Sequence, residues 1–220
     1  MNLPAIAVRT YNQLKDDSSY RKLLKYISKK LDKIRDPIKR SRYVHKKIDE
    51  EIAYQFEDPV VRNLTQCKKG CSACCHSQVA ITEDEAHLLV KEIERGAQVN
   101  WTRLWEQAKA GNDTKAYMKI PYSMRACAFL DEKGQCSIYE SRPSVCRTNY
   151  VISNPKDCRV EEGEVKSVQL LNTFGADSWV YGLFSKNTYN GTLPVMVKYL
   201  LEKKGTKLEQ KRKRYPTLDA

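Results

Sequence analysis

The sequence lacks any apolar run long enough to cross a bilayer. Its longest apolar segments, such as Trp179 to Phe184, fall far short of the ~18 residues that a spanning helix needs. Charged residues make up 30% of the chain and hydrophobic residues 41%, in 220 residues. This composition excludes disordered and fibrous proteins and predicts one domain of ordinary size, or one core with helical additions.

Other signals are also missing. The N-terminus, Met1-Asn2-Leu3-Pro4, has no basic region before its short apolar patch, so we expect no secretory signal and a cytoplasmic protein. The chain has no Gly-rich nucleotide fingerprint and no acid and base at a compelling catalytic spacing. No catalytic residue is therefore assigned from the sequence.

Positive charge is concentrated at two ends of the chain. The formal net charge is +12, of which residues 21–47 contribute +10 and residues 198–214 contribute +6, leaving −4 for the remainder. Such asymmetry favours docking to nucleic acid, an acidic protein or another anionic surface, and the alternative is an ordinary solvated helix face.

Apolar residues at three- and four-residue spacing predict a mainly α fold. Asp36 and Pro37 divide the N-terminal region into two helices, roughly 19–35 and 37–56, which we expect to pack on each other or on the middle region. Thr82 and Glu85 stand in capping-box register for a further helix. Residues 127–130 and 135–139 predict one minor β-hairpin around a four-residue turn, with Phe129 opposite Cys136.

Eight cysteines within residues 67–158 form the candidate metal site. A disulfide framework is disfavoured in a chain without an export signal, and four thiols within nine polar residues are not typical of a hydrophobic core. The ligand pool is Cys67, Cys71, Cys74, Cys75, Cys127, Cys136, Cys146 and Cys158. The spacing predicts metal binding.

The identity of the metal stays open between an iron–sulfur cluster and zinc. Adjacent Cys74 and Cys75 leave the backbone in different directions, so both are hard to seat on one tetrahedral zinc. The predicted hairpin places Cys127 and Cys136 as diagonal neighbours about 7 to 8 Å apart, a gap that a polynuclear cluster spans more easily. The sequence therefore favours iron–sulfur, specifically [4Fe–4S], with Zn²⁺ as the alternative.

Basic residues beside the cysteines are candidates for stabilising thiolates or a bound cofactor. Arg142 and Arg147 flank Cys146, and Arg125, Lys68 and Lys69 lie beside other cysteines. His76 follows Cys75 and is either a ligand or a neighbour of the site. His45 and His87 fall in helical patterns and are predicted to lie on the surface.

The cysteine pattern resembles a known family. The motifs Cys67-x3-Cys71-x2-Cys74-Cys75, Cys127-x-Phe129-Leu130, Gly134-x-Cys136-x-Ile138-Tyr139 and Arg142-Pro143-x2-Cys146-Arg147 are similar to those of the YkgJ-like cysteine-cluster family, a zinc- or iron-chelating domain. The resemblance covers roughly residues 60–160. It implies a metal-binding domain that is often labelled an iron–sulfur oxidoreductase and is related to flagellin lysine N-methylase.

The sequence thus predicts three segments: a basic helical pair (1–60), a cysteine-cluster domain (61–160) and C-terminal helices with a basic tail (161–220). The first functional hypothesis is a metal-cluster protein whose basic ends dock a partner. The second is an iron–sulfur enzyme that uses S-adenosylmethionine, since Cys67-x3-Cys71-x2-Cys74 has the cysteine spacing of radical-SAM enzymes. A standard radical-SAM barrel does not fit, because the following residues are largely helical. Whether the chain is an enzyme stays open.

Overall fold

A computed structural model describes residues 3–67, 70–159, 161 and 167–204. The predicted mainly helical architecture is confirmed, since this part holds eleven α-helices and one two-stranded antiparallel sheet. Lys68, Lys69 and the basic tail 205–214 lie outside the described residues. In the described part, no helix is both long and apolar enough to span a membrane.

The helices are named in chain order. They are α1 (Ala5–Leu14), α2 (Ser18–Asp32), α3 (Pro37–Gln55), α4 (Pro59–Leu64), α5 (Glu83–Glu94), α6 (Trp101–Lys109), α7 (Thr114–Met118), α8 (Tyr122–Arg125), α9 (Ser144–Thr148), α10 (Phe174–Lys186) and α11 (Leu193–Lys203). Three single-turn 3₁₀ helices occupy Ala73–His76, Tyr139–Ser141 and Pro155–Cys158.

Local capping explains where the main helices begin. The Asp36 carboxylate accepts a 2.7 Å hydrogen bond from the backbone N–H of Lys39, and Pro37 occupies the first turn of α3, as predicted. At α5, Thr82 Oγ1 accepts the backbone N–H of Glu85 at 3.2 Å and Glu85 accepts that of Thr82 at 3.0 Å. The predicted capping box is therefore confirmed.

One apolar cluster is built around α10. Helices α1, α2 and α3 all pack against it, and Ile27, Ile48 and Phe184 are completely buried there. The two basic helices α2 and α3 thus share α10 as a common partner. Helix α10 belongs to the C-terminal segment, whereas α3 also packs on α5 and α9 of the middle region, as predicted, and the cationic faces stay outside.

A second apolar cluster joins α5, α6 and α11. Leu89, Leu104 and Val197 are fully buried in it. Trp101 and Trp105 stack with ring centroids 6.0 Å apart and pack against this cluster, so they anchor α6 to it. The predicted C-terminal segment, residues 161–220, therefore contributes α10 to the first cluster and α11 to the second. The division of the chain into three segments stays a prediction.

The sheet pairs residues that are far apart in sequence. Strand β1 (Ala80–Thr82) pairs antiparallel with β2 (Asn190–Thr192), with Ile81 opposite Gly191. The predicted hairpin at 127–139 is reduced to one bridge between Leu130 and Cys136. Its predicted register is wrong by one residue, because the backbone N–H of Asp131 donates to Gln135 O and lengthens the turn.

Two carboxylates in the first turn of α5 connect it to its neighbours. Asp84 forms a buried ion pair with Arg40, at 2.5 and 2.7 Å, and accepts a hydrogen bond from Asn187 Nδ2 at 3.0 Å. The Arg40 guanidinium, at 15% side-chain exposure, is therefore a structural cation of α3 and does not belong to its solvated face.

Glu85 lies deeper and contacts His45. Glu85 Oε1 lies 3.2 Å from His45 Nε2 and accepts the backbone N–H of Ser144 at 2.7 Å. The predicted surface position of His45 is wrong, since the residue is only 4% exposed and faces α5. Burial lowers the pKa of His45, so the neutral ring donates to the carboxylate.

Candidate metal centre

The first four cysteines lie in a segment of turns between α4 and β1. Gly70 has a φ of +91°, which lets the chain reverse before Cys71. Cys74 and Cys75 lie on the 3₁₀ helix Ala73–His76. Cys71 is exposed, whereas Cys74 and Cys75 are half-buried, so the segment faces solvent on one side only.

Cys127 and Cys136 reach the same region through a turn and the Leu130–Cys136 bridge. The backbone N–H of Cys127 donates to Cys75 O at 2.8 Å, and that of Leu130 donates to Cys127 O at 3.0 Å. Because residues 127–130 form a turn, the diagonal placement predicted from an extended hairpin is wrong. The two thiols nevertheless interact electrostatically.

Cys146 and Cys158 complete the set from short helices. Cys146 lies on α9, and Cys158 ends the 3₁₀ helix Pro155–Cys158, which packs on the turn that carries Cys74 and Cys75. The backbone N–H of Val151 donates to Cys67 Sγ at 3.3 Å and links these segments. All eight cysteines are free thiols that the fold gathers in one region.

Backbone N–H groups point at several of these sulfur atoms. Cys67 accepts from Val151, Cys127 from Phe129 and Cys136 from Ile138, and each of these bonds favours the thiolate. In the last two cases the donor lies two residues after the cysteine, so the Cys-x-Phe and Cys-x-Ile pairs of the sequence motif supply it. Such donors suit sulfur atoms that carry negative charge toward a metal.

Burial opposes ionisation at most of the thiols. It raises the pKa of Cys127 and of Cys158 to about 11 and raises the pKa of Cys146 well above its ordinary value. Cys67 and Cys136 have pKa values raised for the same reason. These sulfurs stay protonated at neutral pH unless a cation compensates their charge.

Cys74 is the exception among the buried cysteines. It accepts a hydrogen bond from the Cys75 thiol, which lowers the pKa of Cys74 to about 6 despite burial and raises the pKa of Cys75. The side chain of Asn149 and the charge of Arg142 act in the same direction on the pKa of Cys74. The region therefore holds one thiolate ready for a metal before the others ionise.

The electrostatic neighbours of each thiol divide the set into two groups. Cys67 interacts with Cys71 and Cys74, and Cys158 interacts with all three. Cys146 interacts with Cys127 and Cys136, and Cys75 interacts with Cys127 and Cys146. Cys74 also interacts with members of the second group, so it lies between the two.

The donor chemistry fits the soft ions that thiolates prefer. All eight gathered donors are sulfur, as in sites for zinc or for iron–sulfur clusters. Across the described residues, no three Cys, His, Asp or Glu side chains yet converge closely enough to hold an ion. The fold gathers the thiols from segments that are far apart in sequence.

The two predicted arginines differ in where their charge lies. Arg142 is half-buried, stacks over Tyr139 at 4.3 Å and lowers the pKa of Cys74, Cys136 and Cys146. Its Nε atom is buried without a hydrogen-bond partner. The guanidinium of Arg142 therefore faces the thiols.

Arg147 is held by the helical part of the protein. Its guanidinium pairs with Asp49 at 2.6 and 2.8 Å and donates to the backbone carbonyls of Glu140 and Arg142. It contributes only a weaker lowering of the Cys136 pKa. Arg147 thus connects α9 to α3 and orients the loop that carries Arg142.

The remaining charged candidates lie around the edge. Arg125 is buried, donates to Glu161 O at 3.0 Å and lies over Tyr122. His76 is half-buried and stacks on the same ring at 4.3 Å, an arrangement more typical of a neighbour of the site than of a ligand. His87 is half-buried, so its predicted surface position holds only in part.

Three polar residues of the site were not predicted from the sequence. Asn149 hydrogen-bonds Cys74. The hydroxyl of Tyr117 donates to His76 O at 3.2 Å and to Arg125 O at 2.9 Å, and Gln107 Nε2 donates to Met124 O and Ala126 O. Tyr117 links two segments that are distant in sequence, and Gln107 links α6 to the segment 124–126, so no local pattern predicts either role.

A cleft of about 640 Å³ lies beside the thiol region. Its wall includes Val145 and Asn149 of the segment that carries Cys146, together with Leu3, Ile6 and Gln78. None of the described residues that line the cleft is charged. Asn149 therefore connects the cleft to the sulfur of Cys74.

The comparisons with known proteins agree with this chemistry. Residues 66–168 match the family model CxxCxxCC, described as a "putative zinc- or iron-chelating domain". No curated protein and no solved structure gives a significant match. The matched range contains all eight cysteines. Residues 66–168 are therefore similar to a zinc- or iron-chelating cysteine-cluster domain, and this similarity supports metal binding.

Proposed function

We propose that this metal-binding protein is a cytoplasmic iron–sulfur protein whose cysteines hold [4Fe–4S] clusters, with Zn²⁺ as the alternative metal. The observation that carries the proposal is the gathering of eight free thiols in one partly buried region. Four cysteines are the usual ligand set of a [4Fe–4S] cluster, so eight suffice for two.

The two groups of interacting thiols support two sites. One set is Cys67, Cys71, Cys74 and Cys158, and the other is Cys75, Cys127, Cys136 and Cys146. The first set includes the exposed Cys71, and burial is more complete in the second. A cluster in the first set is therefore the one that solvent and external reductants reach.

Arg142 has a role in holding the centre together. Its charge favours the thiolate form of three cysteines from both sets. A thiolate-ligated cluster carries net negative charge, which a nearby guanidinium offsets. Arg147 supports this role indirectly through its hydrogen bond to Arg142 O.

The decisive experiment is the analysis of protein purified without oxygen. Iron and acid-labile sulfide in equal amounts, close to eight of each per chain for two clusters, with a broad visible absorption band, are the expected results. Two zinc ions per chain without sulfide would show that the protein binds the alternative metal, Zn²⁺. No bound metal of either kind would overturn the proposal.

Cysteine variants test the division into two sets. Cys158→Ser is expected to remove about half of the iron, and Cys146→Ser the other half, because each loses one of four ligands. Ser72→Ala, between the cysteines of the first segment, is the matched control and should keep full metal content. Loss of all iron from each single variant would mean one shared cluster.

The cleft bears on the enzymatic alternative. S-adenosylmethionine carries a carboxylate, an ammonium group and a sulfonium, and the described lining of the cleft offers no charged partner for them. The cleft therefore favours an uncharged occupant. Incubation with S-adenosylmethionine and a strong reductant, followed by a search for cleavage products, tests the enzyme hypothesis.

The proposal also includes docking through basic segments 21–47 and 198–214 to nucleic acid or an acidic protein. Nine of the twelve cations of the first segment are exposed on α2, α3 and the turn between them, and Arg40 is not one of them. Of the second segment, only residues 198–204 lie in the described part. Binding that weakens steeply with salt is the expected signature.

A further inference from the structure

The outward face of α2 differs from the other charged helix surfaces of this protein. On several other helices, exposed lysines pair with a carboxylate three or four residues away on the same helix. Examples are Lys46 with Glu50, Lys109 with Glu106 and Lys198 with Glu202. Such pairs are what an ordinary solvated helix shows.

The lysines of α2 have no such neighbours. Lys22, Lys25, Lys29, Lys30 and Lys33 form no ion pair with any acidic residue in the described part of the chain. Asp32, the acidic residue of α2, pairs instead with Lys186 of α10. The charge of this face is therefore uncompensated.

An aromatic ring lies in the middle of the charged face. At about 100° per residue, Lys22, Tyr26, Lys29 and Lys33 fall within about 60° of the helix circumference. Tyr26 is 49% exposed and Leu23 beside it is 36% exposed. Lys30 lies over the Tyr26 ring at 5.2 Å.

The opposite side of the helix explains why this face is held rigidly. Ile27 and Leu31 are completely buried against α10, and Tyr20 is 6% exposed. Asp17 caps the helix by accepting the backbone N–H of Tyr20 at 2.8 Å. The lysine and tyrosine side chains are therefore presented from a fixed helix.

We infer that the α2 face, defined by Lys22, Lys25, Tyr26, Lys29, Lys30 and Lys33, binds an unpaired polynucleotide strand. The lysines contact phosphates, and Tyr26 stacks on a base, which is the combination used by proteins that bind single strands without sequence preference. The stripe is about 16 Å long, the length of about five stacked nucleotides. The inference rests on the docking part of the proposed function.

An acidic protein would use the same lysines but has no need of a ring exposed at the centre of the stripe. A duplex presents phosphates with its bases already stacked, so Tyr26 adds little to duplex binding. The role of Tyr26 therefore separates these partners from an unpaired strand.

The test uses the full, metal-loaded chain and fluorescence anisotropy with labelled 20-nucleotide dT and U strands and a 20-base-pair duplex. With five phosphate contacts we expect affinity for the unpaired strand to fall about 100-fold between 50 and 200 mM salt. Comparing the affinities for the dT and U strands shows whether the protein prefers DNA or RNA.

Two variants test the two components separately. Lys22→Gln/Lys29→Gln/Lys33→Gln is expected to weaken binding at least about 10-fold and to reduce the salt slope by about two. Tyr26→Ala should weaken single-strand binding about 10-fold and leave duplex binding within about 2-fold. The matched control, Lys109→Gln/Lys115→Gln/Lys119→Gln, removes the same charge from exposed lysines outside both basic segments and should change affinity less than about 2-fold.

Three outcomes would overturn the inference. Equal losses in the test and control triples would mean that only net charge attracts the strand. An unchanged affinity for Tyr26→Ala would remove the stacking role. Binding of poly-glutamate, or of vesicles with 30% phosphatidylserine in phosphatidylcholine, through the α2 face without binding of unpaired strands would assign the face to another partner.

Metal content of each variant, measured in parallel, separates this inference from the rest of the proposal. Strand binding without iron would leave the inference intact and contradict the iron–sulfur function. Full iron content without strand, poly-glutamate or vesicle binding would contradict both the inference and the docking function.

Discussion

The helical regions and the cysteine segments of this protein are stabilised by different means. Around α10 and around α5, side chains such as Ile48, Leu89 and Phe184 are completely buried in two apolar clusters. The cysteine segments, residues 65–79 and 122–161 in their described part, consist of turns, 3₁₀ helices and α-helices of five residues or fewer. The first kind of structure is stable through packing, and the second depends on what its side chains bind.

The difference between the two regions indicates which part of the protein a bound metal stabilises. Phe129 and Ile138 attach the cysteine segments to the α5 cluster, and Tyr117 and Gln107 hold their backbone by hydrogen bonds. Of the cysteines, Cys127 and Cys136 pack against this cluster, and the described parts of the two apolar clusters include none of the others. We therefore expect the metal to supply much of the free energy that orders the cysteine segments.

The largest expected effect follows removal of the metal. Anaerobic chelation should abolish amide protection in the cysteine segments, because ligation contributes on the order of 10 kcal/mol to small metal domains. The helices α3 and α10 should keep most of their protection. Hydrogen exchange read by mass spectrometry measures both regions in one experiment, and equal loss in both would contradict the distinction.

The second effect concerns the helical part alone. Asp84→Asn leaves the Arg40 guanidinium without its buried partner and should lower the free energy of unfolding by about 3 kcal/mol or more. Glu94→Gln on the same helix breaks only the exposed pair with Lys204 and should cost less than about 1 kcal/mol. Urea unfolding of the metal-loaded variants gives both values. Metal content should stay unchanged, and its loss in Asp84→Asn would show that the two regions are not separable.

A pH-dependent effect is expected where α1 meets α10. Burial raises the pKa of Asp177 to about 6, although Thr10 and Thr173 donate hydrogen bonds to it at 2.7 and 2.9 Å. The folded state binds the proton more tightly than the unfolded state, so stability is contributed below about pH 4 and lost as pH rises through 6. The loss amounts to at most about 3 kcal/mol.

Asp177→Asn mimics the protonated carboxyl and should remove this dependence. We expect the variant to match the parent protein near pH 4 and to exceed it in unfolding free energy by up to about 3 kcal/mol at pH 7. Glu132→Gln, an exposed loop carboxyl, is the control. The difference between variant and parent, measured by denaturant unfolding from pH 4 to 7, would stay constant if Asp177 ionised normally.

The smallest expected effect concerns two glycines in turns, one beside the cysteine segments and one away from them. Gly134 has a φ of +72°, and a Cβ there would lie 3.3 Å from Ser72 Oγ in the first cysteine segment. Gly134→Ala should cost about 1 kcal/mol and also weaken metal affinity. Gly111→Ala, at a φ of +62° with open space around it, should cost a similar amount without changing affinity. Competition with a coloured chelator distinguishes the two variants.

Local signals in the sequence predicted much of the helical part. Asp36 and Pro37 marked the start of α3, and Thr82 with Glu85 marked that of α5, because capping involves residues within one turn. Strand β2 and the buried position of His45 escaped prediction. Both depend on partners far along the chain, Ile81 in one case and Glu85 in the other.

The sequence predicted which residues form the candidate site but not how these residues are arranged in space. Cysteine spacing identified the metal-binding chemistry, which the family match supports. The relation of Cys127 to Cys136 was wrong because it depended on a turn length that Asp131 changes. Arg142 and Arg147 had equal standing in the sequence, and the fold gives them different surroundings, the thiols and Tyr139 for Arg142 and Asp49 of α3 for Arg147.

The placement of α10 and α11 has a consequence for biosynthesis. Each of the two apolar clusters is completed by one of these late helices, and β2 between them pairs with β1. Neither cluster can therefore close while the C-terminal segment is still inside the ribosome. All eight thiols leave the exit tunnel before the structure that gathers them exists. Metal binding that needs the gathered thiols must then follow the emergence of α10 and α11 from the ribosome.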